Sequence, residues 1–200
     1  MLKKTISLLL CLLMLVSAVP LAGLSASAAE SEVPEGYTGI YNIEDLYCIR
    51  YALDGKYILM ADIDMTEDTA PGGDWDNNGC GWAPIGENTS APFTGVFDGN
   101  GHTVKGMRID GIKTVAAGLF GCFSGEIKNL VFEDCAVSTT STACTYCGVA
   151  AGYGLSGAKL TKVKVDGGTV SSSHSYTKNF NKNTIYVGGV AGCVDSSAAI

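Results

Sequence analysis

Three short stretches decide how this chain folds: Gly118-Leu119-Phe120-Gly121, Val149-Ala150-Ala151-Gly152 and Gly189-Val190-Ala191-Gly192. Each is too short for a helix and ends on a glycine. A second kind of segment interleaves with them: Val104 to Asp110, Ile127 to Glu133 and Leu160 to Asp166. These carry apolar residues at positions one, four and six and an acid at position seven, with offsets of 23 and 33 residues. Short strands and glycine corners at a loose period mark a chain wound into stacked coils. One coil cannot bury its apolar side chains alone; a neighbour supplies both the cover and the partners for its backbone N–H and C=O groups. The fold expected is all-β, a right-handed parallel β-helix (solenoid) with a short N-terminal capping helix. A period that varies places insertions at a coil corner. The Ser/Thr run 138–142 and the stretch Ser171–Lys182 read as such insertions. An antiparallel sandwich would also give short strands, but not the same paired elements at three places.

Composition narrows the class. The 200 residues hold 26 glycines and only 5 prolines, well above the usual ~7% glycine and pointing to tight corners rather than to a linker. Lys3 and Lys4, the apolar run Ile6–Val16 and the small residues Ala26-Ser27-Ala28-Ala29 read as a signal peptide over 1–29. Beyond it stand 11 basic and 20 acidic side chains, a net charge of −9. That balance argues against nucleic acid and anionic lipid as partners, because phosphate contacts need clustered Lys and Arg. No membrane insertion is expected once the signal is removed. Export permits disulfides, and the seven cysteines left after Cys11 make an odd number.

The segment 30–56 is read as an N-terminal cap. Asn42 caps a helix with Asp45 at its third position. Ile43, Leu46, Ile49 and Leu53 share one face, and Asp54-Gly55 ends it. The segment 57–112 holds the first coils. It begins with one alternating strand over Tyr57–Met65 whose other face turns acidic at Asp62 and Asp64. A long polar loop over 66–92 follows, with Trp75 and Trp82 in it. The segment 113–200 holds the glycine-element coils.

The glycine elements resemble the GLUG motif of bacterial surface and secreted proteins. The runs Trp82-Ala83-Pro84-Ile85-Gly86, Pro92 to Val104 and Tyr57 to Met65 look like the segments that precede such repeats. The resemblance spans roughly residues 37–200. It implies a parallel β-helix, an exported location and a role in adhesion or surface display, with no catalytic residues. Some relatives carry the repeats beside a zinc protease domain, but neither His102 nor His174 begins an H-E-x-x-H run.

Three groups of residues carry candidate chemistry. Asp74-Trp75-Asp76-Asn77-Asn78-Gly79 fits the start of a calcium loop, with Asp74, Asp76 and Asn78 as the ligands. The twelfth position is Ile85 where a bidentate Glu would be needed, so Glu87 or Asp68 would have to complete the cage. Asp98, His102 and Arg108 are what a polysaccharide lyase or hydrolase would use. Asp98-Gly99-Asn100-Gly101-His102 reads instead as a coil corner, since Asn and Gly tolerate positive φ. Cys144 and Cys147 form a C-x-x-C between β segments, which fits structural cysteine better than a redox or zinc site.

The function expected is therefore a secreted or cell-surface structural or adhesive module, non-catalytic, with a surface, matrix or glycan ligand. Apart from the calcium candidate, no cofactor is expected. The rivals are a carbohydrate-active β-helix enzyme and the stalk region of a larger surface protease or adhesin. After Gly192 no further strand of the apolar pattern and no polar cap follow. The sequence thus reads as an incomplete solenoid whose open C-terminal coil self-associates or frays from about residue 170 onward.

Overall fold

The computed structural model describes residues 32–141, 145–174 and 184–197. The signal peptide, Cys11, Cys144, most of the Ser171–Lys182 insertion and the last residues to Ile200 lie outside them. The described chain is all-β apart from one short helix, and every paired strand in it runs parallel to its neighbours.

Successive passes of the chain lay one strand into each of four sheets. The first sheet holds β1 (Thr38–Ile40), β2 (Lys56–Leu59), β3 (Ile63–Asp64), β4 (Val96–Asp98), β5 (Thr103–Lys105), β9 (Glu126–Glu133) and β13 (Lys159–Asp166). The second holds β6 (Arg108–Ile112), β10 (Ala136–Ser141) and β14 (Thr169–His174). The third holds β7 (Ala116–Ala117), β11 (Thr145–Cys147) and β15 (Ile185–Val187). The fourth holds β8 (Phe120–Phe123), β12 (Ala151–Gly154) and β16 (Ala191–Val194). Three full coils result, 96–123, 126–154 and 159–194, each hydrogen-bonded to the next in all four sheets.

Inward side chains therefore stack in columns. Tyr57, Phe97, Ile127 and Leu160 form one; Ile63, Val104, Phe132 and Val165 form another; Ile109, Val137 and Val170 a third. One continuous cluster of buried apolar side chains runs from Ile40 to Leu160. Its middle is aromatic, with the Phe93 and Phe97 rings 4.8 and 5.3 Å from that of Phe120.

These columns correct the expected phase of the first repeat. Leu160 and Val163 do stack on Ile127 and Leu130, but Val104 lies against Phe132 rather than Ile127. The partner of Ile127 is Phe97. The cause is the turn 99–102. It puts four residues between Asp98 and Thr103, where the facing strand has only Asn129 and Leu130 between Lys128 and Val131. The glycine elements, by contrast, lie in the expected register: Phe120, Ala151 and Ala191 are partners, as are Cys122, Tyr153 and Cys193.

The last glycine of each element sits where the backbone of a neighbouring pass of the chain comes very close. A Cβ on Gly152 would lie 2.6 Å from Ala117 N, and one on Gly192 would lie 2.4 Å from Cys147 N. Neither glycine has positive φ, so its use is space rather than backbone freedom. The corner between the first and second sheets is two residues in every coil, Gly106-Met107, Asp134-Cys135 and Gly167-Gly168. The leading residue sits at φ of 66°, 50° and 71° in turn. The second- and third-sheet strands are joined by a three-residue corner, 113–115, in the first coil, and are three and ten residues apart in sequence in the next two.

Three further expectations are corrected. The helix α1 (Ile43–Cys48) is capped by Asn42, whose Oδ1 accepts from Asp45 N, but it tightens into a 3-10 turn over Ile49–Tyr51 and stops before Leu53. The strand expected over Tyr57–Met65 breaks into β2 and β3, because Met60 to Asp62 turn a corner. The polar loop 66–92 sends side chains into the interior. Trp82 is fully buried, and Ile85 and the nearby Phe93 make isolated parallel bridges to Phe120 and Phe123. Arg50 ties that loop to α1: its guanidinium lies 3.8 Å above the Tyr47 ring and donates to Ala83 O. Burial lowers its pKa from the usual arginine value.

Candidate functional site

The chemistry-bearing residues singled out from the sequence are spread over the first three sheets and loop 66–92. Asp98, His102 and Arg108 each meet a residue distant in the chain. Asp98, at the end of β4, accepts through Oδ1 from Asn100 N at 2.9 Å and Asn129 Nδ2 at 3.0 Å. Its Oδ2 lies 3.6 Å from Lys128 Nζ. His102 does not reach toward Asp98 for a partner; its Nδ1 is 3.0 Å from Asp62 Oδ1, across the coil boundary. Asp62 also accepts from Thr103 N, and that bond first, then His102, holds its carboxyl below the usual range. Arg108 opens β6 and points elsewhere, to Asp110 Oδ2 at 2.8 Å and Gly79 O at 3.3 Å. Asp98, His102 and Arg108, the residues that suggested a polysaccharide enzyme, thus fall into three separate bonding groups.

The calcium candidates hold their loop together themselves. Asp76 Oδ2 accepts from Gly72 N at 2.9 Å and Oδ1 from Gly81 N at 2.8 Å. Those two backbone bonds are the main cause of its lowered pKa, with Arg108 contributing less; Arg108 Nη1 stands 3.9 Å from Oδ1. Asn78 is a turn residue at φ of 52°. Among the described residues no group of three or more His, Cys, Asp and Glu side chains is arranged to hold a metal ion. Of the C-x-x-C pair, Cys147 is fully buried in β11 and burial pushes its thiol up to about 11, so it stays protonated and inert at neutral pH. Cys122 and Cys193 carry free thiols with Tyr153 between them in register, in keeping with sulfurs two coils apart. Cys48 is disulfide-bonded.

Two features escaped the sequence reading. An open cleft of about 520 Å³ is lined by Asp64, Thr66, Glu67, Asp68 and Lys105. Asp64 accepts from Thr66 N at 2.9 Å and pairs in register with Lys105, which is why an acidic β3 face becomes a cleft with a cation on its wall. The acidic face of residues 62–64 was the signal for it. The second feature is a stack of three tyrosines on the outside. The Tyr146 ring lies 4.4 Å from Tyr153 and 5.1 Å from Tyr186, with interplanar angles of 12° and 15°. Tyr146 and Tyr186 face each other in successive coils and Tyr153 comes from the next strand of the same coil as Tyr146, a grouping invisible until the register is known.

Fold and site together define an all-β chain of stacked parallel coils with a polar, heavily cross-linked outer face. No known protein-family profile matches it. Among individual proteins, the chain is 34% identical over 101 residues to halomucin of Haloquadratum walsbyi, a match covering 48% of this chain and 1% of halomucin. Among solved structures, it is similar to a Bacteroides ovatus protein provisionally named an immunoglobulin A1 protease. That likeness has a TM-score of 0.43 and 17% identity, and covers 80% of this chain and 62% of the other. The chain thus spans less than two thirds of either protein's length.

Proposed function

We propose that the mature chain is a secreted or cell-surface structural and adhesive module, non-catalytic, built on a right-handed parallel β-helix of the GLUG-repeat kind. The observation that carries this reading is where the outer polar side chains go. Asp98, His102, Arg108 and Asp76 each bond to residues 29 or more positions away or to the backbone of their own loop, fixing the coils to one another. Groups spent on holding a face rigid suit a module whose task is to present that face. The sequence likeness to halomucin, a surface protein, supports the same location. The ligand class is a surface, matrix or glycan component.

The cleft at Asp64, Glu67 and Asp68 favours a second reading, a carbohydrate-active enzyme, because glycoside hydrolysis uses paired carboxylates. A stalk beside the functional part of a larger surface protein is compatible with the first reading. One experiment separates binding from turnover. The mature chain is immobilised, challenged with matrix proteins and polysaccharides, and assayed in the same wells for new reducing ends and unsaturated products. Saturable binding without product is expected. Product formation abolished by Asp64→Asn or Glu67→Gln would replace the module by the enzyme.

A further inference from the structure

Two Asn-Gly steps occur in the described chain, and in both the asparagine has the same left-handed backbone: Asn78 and Asn100, each at φ of 52°. Their surroundings differ. Asn100 lies between coils. Its Nδ2 donates to Leu59 O at 3.2 Å, and the N–H of the following Gly101 donates to Asn129 O at 2.8 Å. Asn78 and Gly79, exposed like Asn100 and Gly101, sit at the tip of the loop that Asp76 closes, so what separates the two steps is their hydrogen bonding and not their exposure. The Gly79 N–H is the weakest of three that approach the Asp76 carboxylate, after Gly72 and Gly81.

An asparagine followed by glycine is open to attack on its own side chain, because glycine offers no Cβ to block the approach. The Gly79 nitrogen gives up its proton and attacks Asn78 Cγ. The Cγ–Nδ2 bond breaks, and ammonia leaves with a proton. Water then adds to the cyclic imide at either carbonyl, giving aspartate or isoaspartate. The sum is asparagine plus water to a carboxylate plus ammonia, with no oxidant or reductant. The step needs a mobile side-chain amide and a glycine N–H that is at most weakly hydrogen-bonded.

We propose that Asn78 is a site of spontaneous deamidation with water as the co-reactant, and that coil stacking protects Asn100 from the same reaction. Releasing Asn100 and Gly101 requires breaking two backbone-anchored hydrogen bonds, enough to slow it about tenfold relative to Asn78. The change at Asn78 has a structural consequence. Isoaspartate lengthens the main chain by one carbon just before Gly79, whose carbonyl is the acceptor for Arg108 Nη1 and Nη2 at 3.3 Å. The Arg108 clamp on the loop loosens.

The test ages the whole folded chain in mildly alkaline buffer made with oxygen-18 water, then maps its peptides by mass spectrometry and assays isoaspartate enzymatically. A parallel sample is aged in denaturant. In the folded sample the peptide with Asn78 is expected to gain label about tenfold faster than the peptide with Asn100. In denaturant the two rates converge. Equal rates in the folded chain, faster change at Asn100, or a difference that persists in denaturant would each overturn the proposal.

Discussion

Replacing Gly152 by alanine tests why the repeated element ends on glycine. The added methyl would sit 2.6 Å from Ala117 N, 2.7 Å from Ala116 Cβ and 2.8 Å from Ala116 Cα. Carbon atoms prefer about 3.5–4.0 Å, and the obstructing atoms are mostly backbone, which cannot swing aside as a side-chain tip would. Overpacking of this kind costs about 1–3 kcal/mol. For a chain of this size each kcal/mol lowers the melting temperature by about 2–4 °C, so Gly152→Ala should melt about 2–12 °C below the parent. The control lies in the same motif. A Cβ on Gly189 meets nothing within 4 Å, and that residue is outside the left-handed region. Gly189→Ala should therefore be neutral, or stabilising by about 0.4–1 kcal/mol through the unfolded state. Differential scanning calorimetry on both variants decides the matter. Equal losses at the two positions, or an unchanged Gly152→Ala, would refute close approach as the reason for the terminal glycine.

Three other outcomes follow from geometry already described. Lys162 sits at φ of 54° facing Asn129 at 52°, a conformation that disfavours a side chain with a Cβ by about 1–2 kcal/mol, so Lys162→Gly should raise the denaturant midpoint despite losing a side chain. Burial raises the thiols of Cys122, Cys135 and Cys147 to about 11, above the ordinary thiol value that the unfolded chain would show. A raised folded pKa gives stability that is complete below the unfolded value and lost as pH rises through the folded one. Unfolding should therefore set in between about pH 9 and 11, with a thiol reagent at neutral pH reaching Cys80 and Cys193 long before those three. Finally, Asp76→Ala removes the acceptor for Gly72 and Gly81 and should expose the Trp75 and Trp82 cluster to a fluorescence quencher. Calcium should leave the parent's melting temperature unchanged, because Arg108 already supplies the positive charge at that carboxylate, and a rise with calcium would show a cation site there.

The glycine elements were legible because their glycines are fixed by close approach: only one register brings Gly121, Gly152 and Gly192 to the narrow side of the coil. The cysteines followed from them. The apolar segments were less legible, because an alternating pattern looks alike under a shift. Val104-x-x-Met107-x-Ile109 matches Ile127-x-x-Leu130-x-Phe132 letter for letter, yet the turn at Gly99–His102 carries two extra residues and moves the pairing to Phe97 with Ile127 and Val104 with Phe132. Loop 66–92 misled through its composition. Its glycines and aspartates serve tight turns around Trp75 and Trp82, and Ile85 and Phe93 are too isolated to show as strands. The candidate site was partly legible. Asp98 and His102 were recognised as corner residues, but their partners Asn129 and Asp62 are 31 and 40 residues away, and no local spacing announces such bonds.

The sequence separation of the second- and third-sheet strands, three residues in the first coil and ten in the last, has a consequence for engineering. Closing ten residues rather than three costs only about 1 kcal/mol of chain entropy. The strands on either side of it, β14 and β15, still keep their partners in β10 and β11. A peptide tag or an epitope spliced between positions 112 and 116 should then be carried without disturbing the interior. The two-residue corner offers no such freedom. One residue added beside Gly106, Asp134 or Gly167 would shift the next strand by one place and turn Ile109, Val137 or Val170 outward. On one side of the second sheet the chain is a frame of adjustable width, and on the other side of that sheet a seam with no slack.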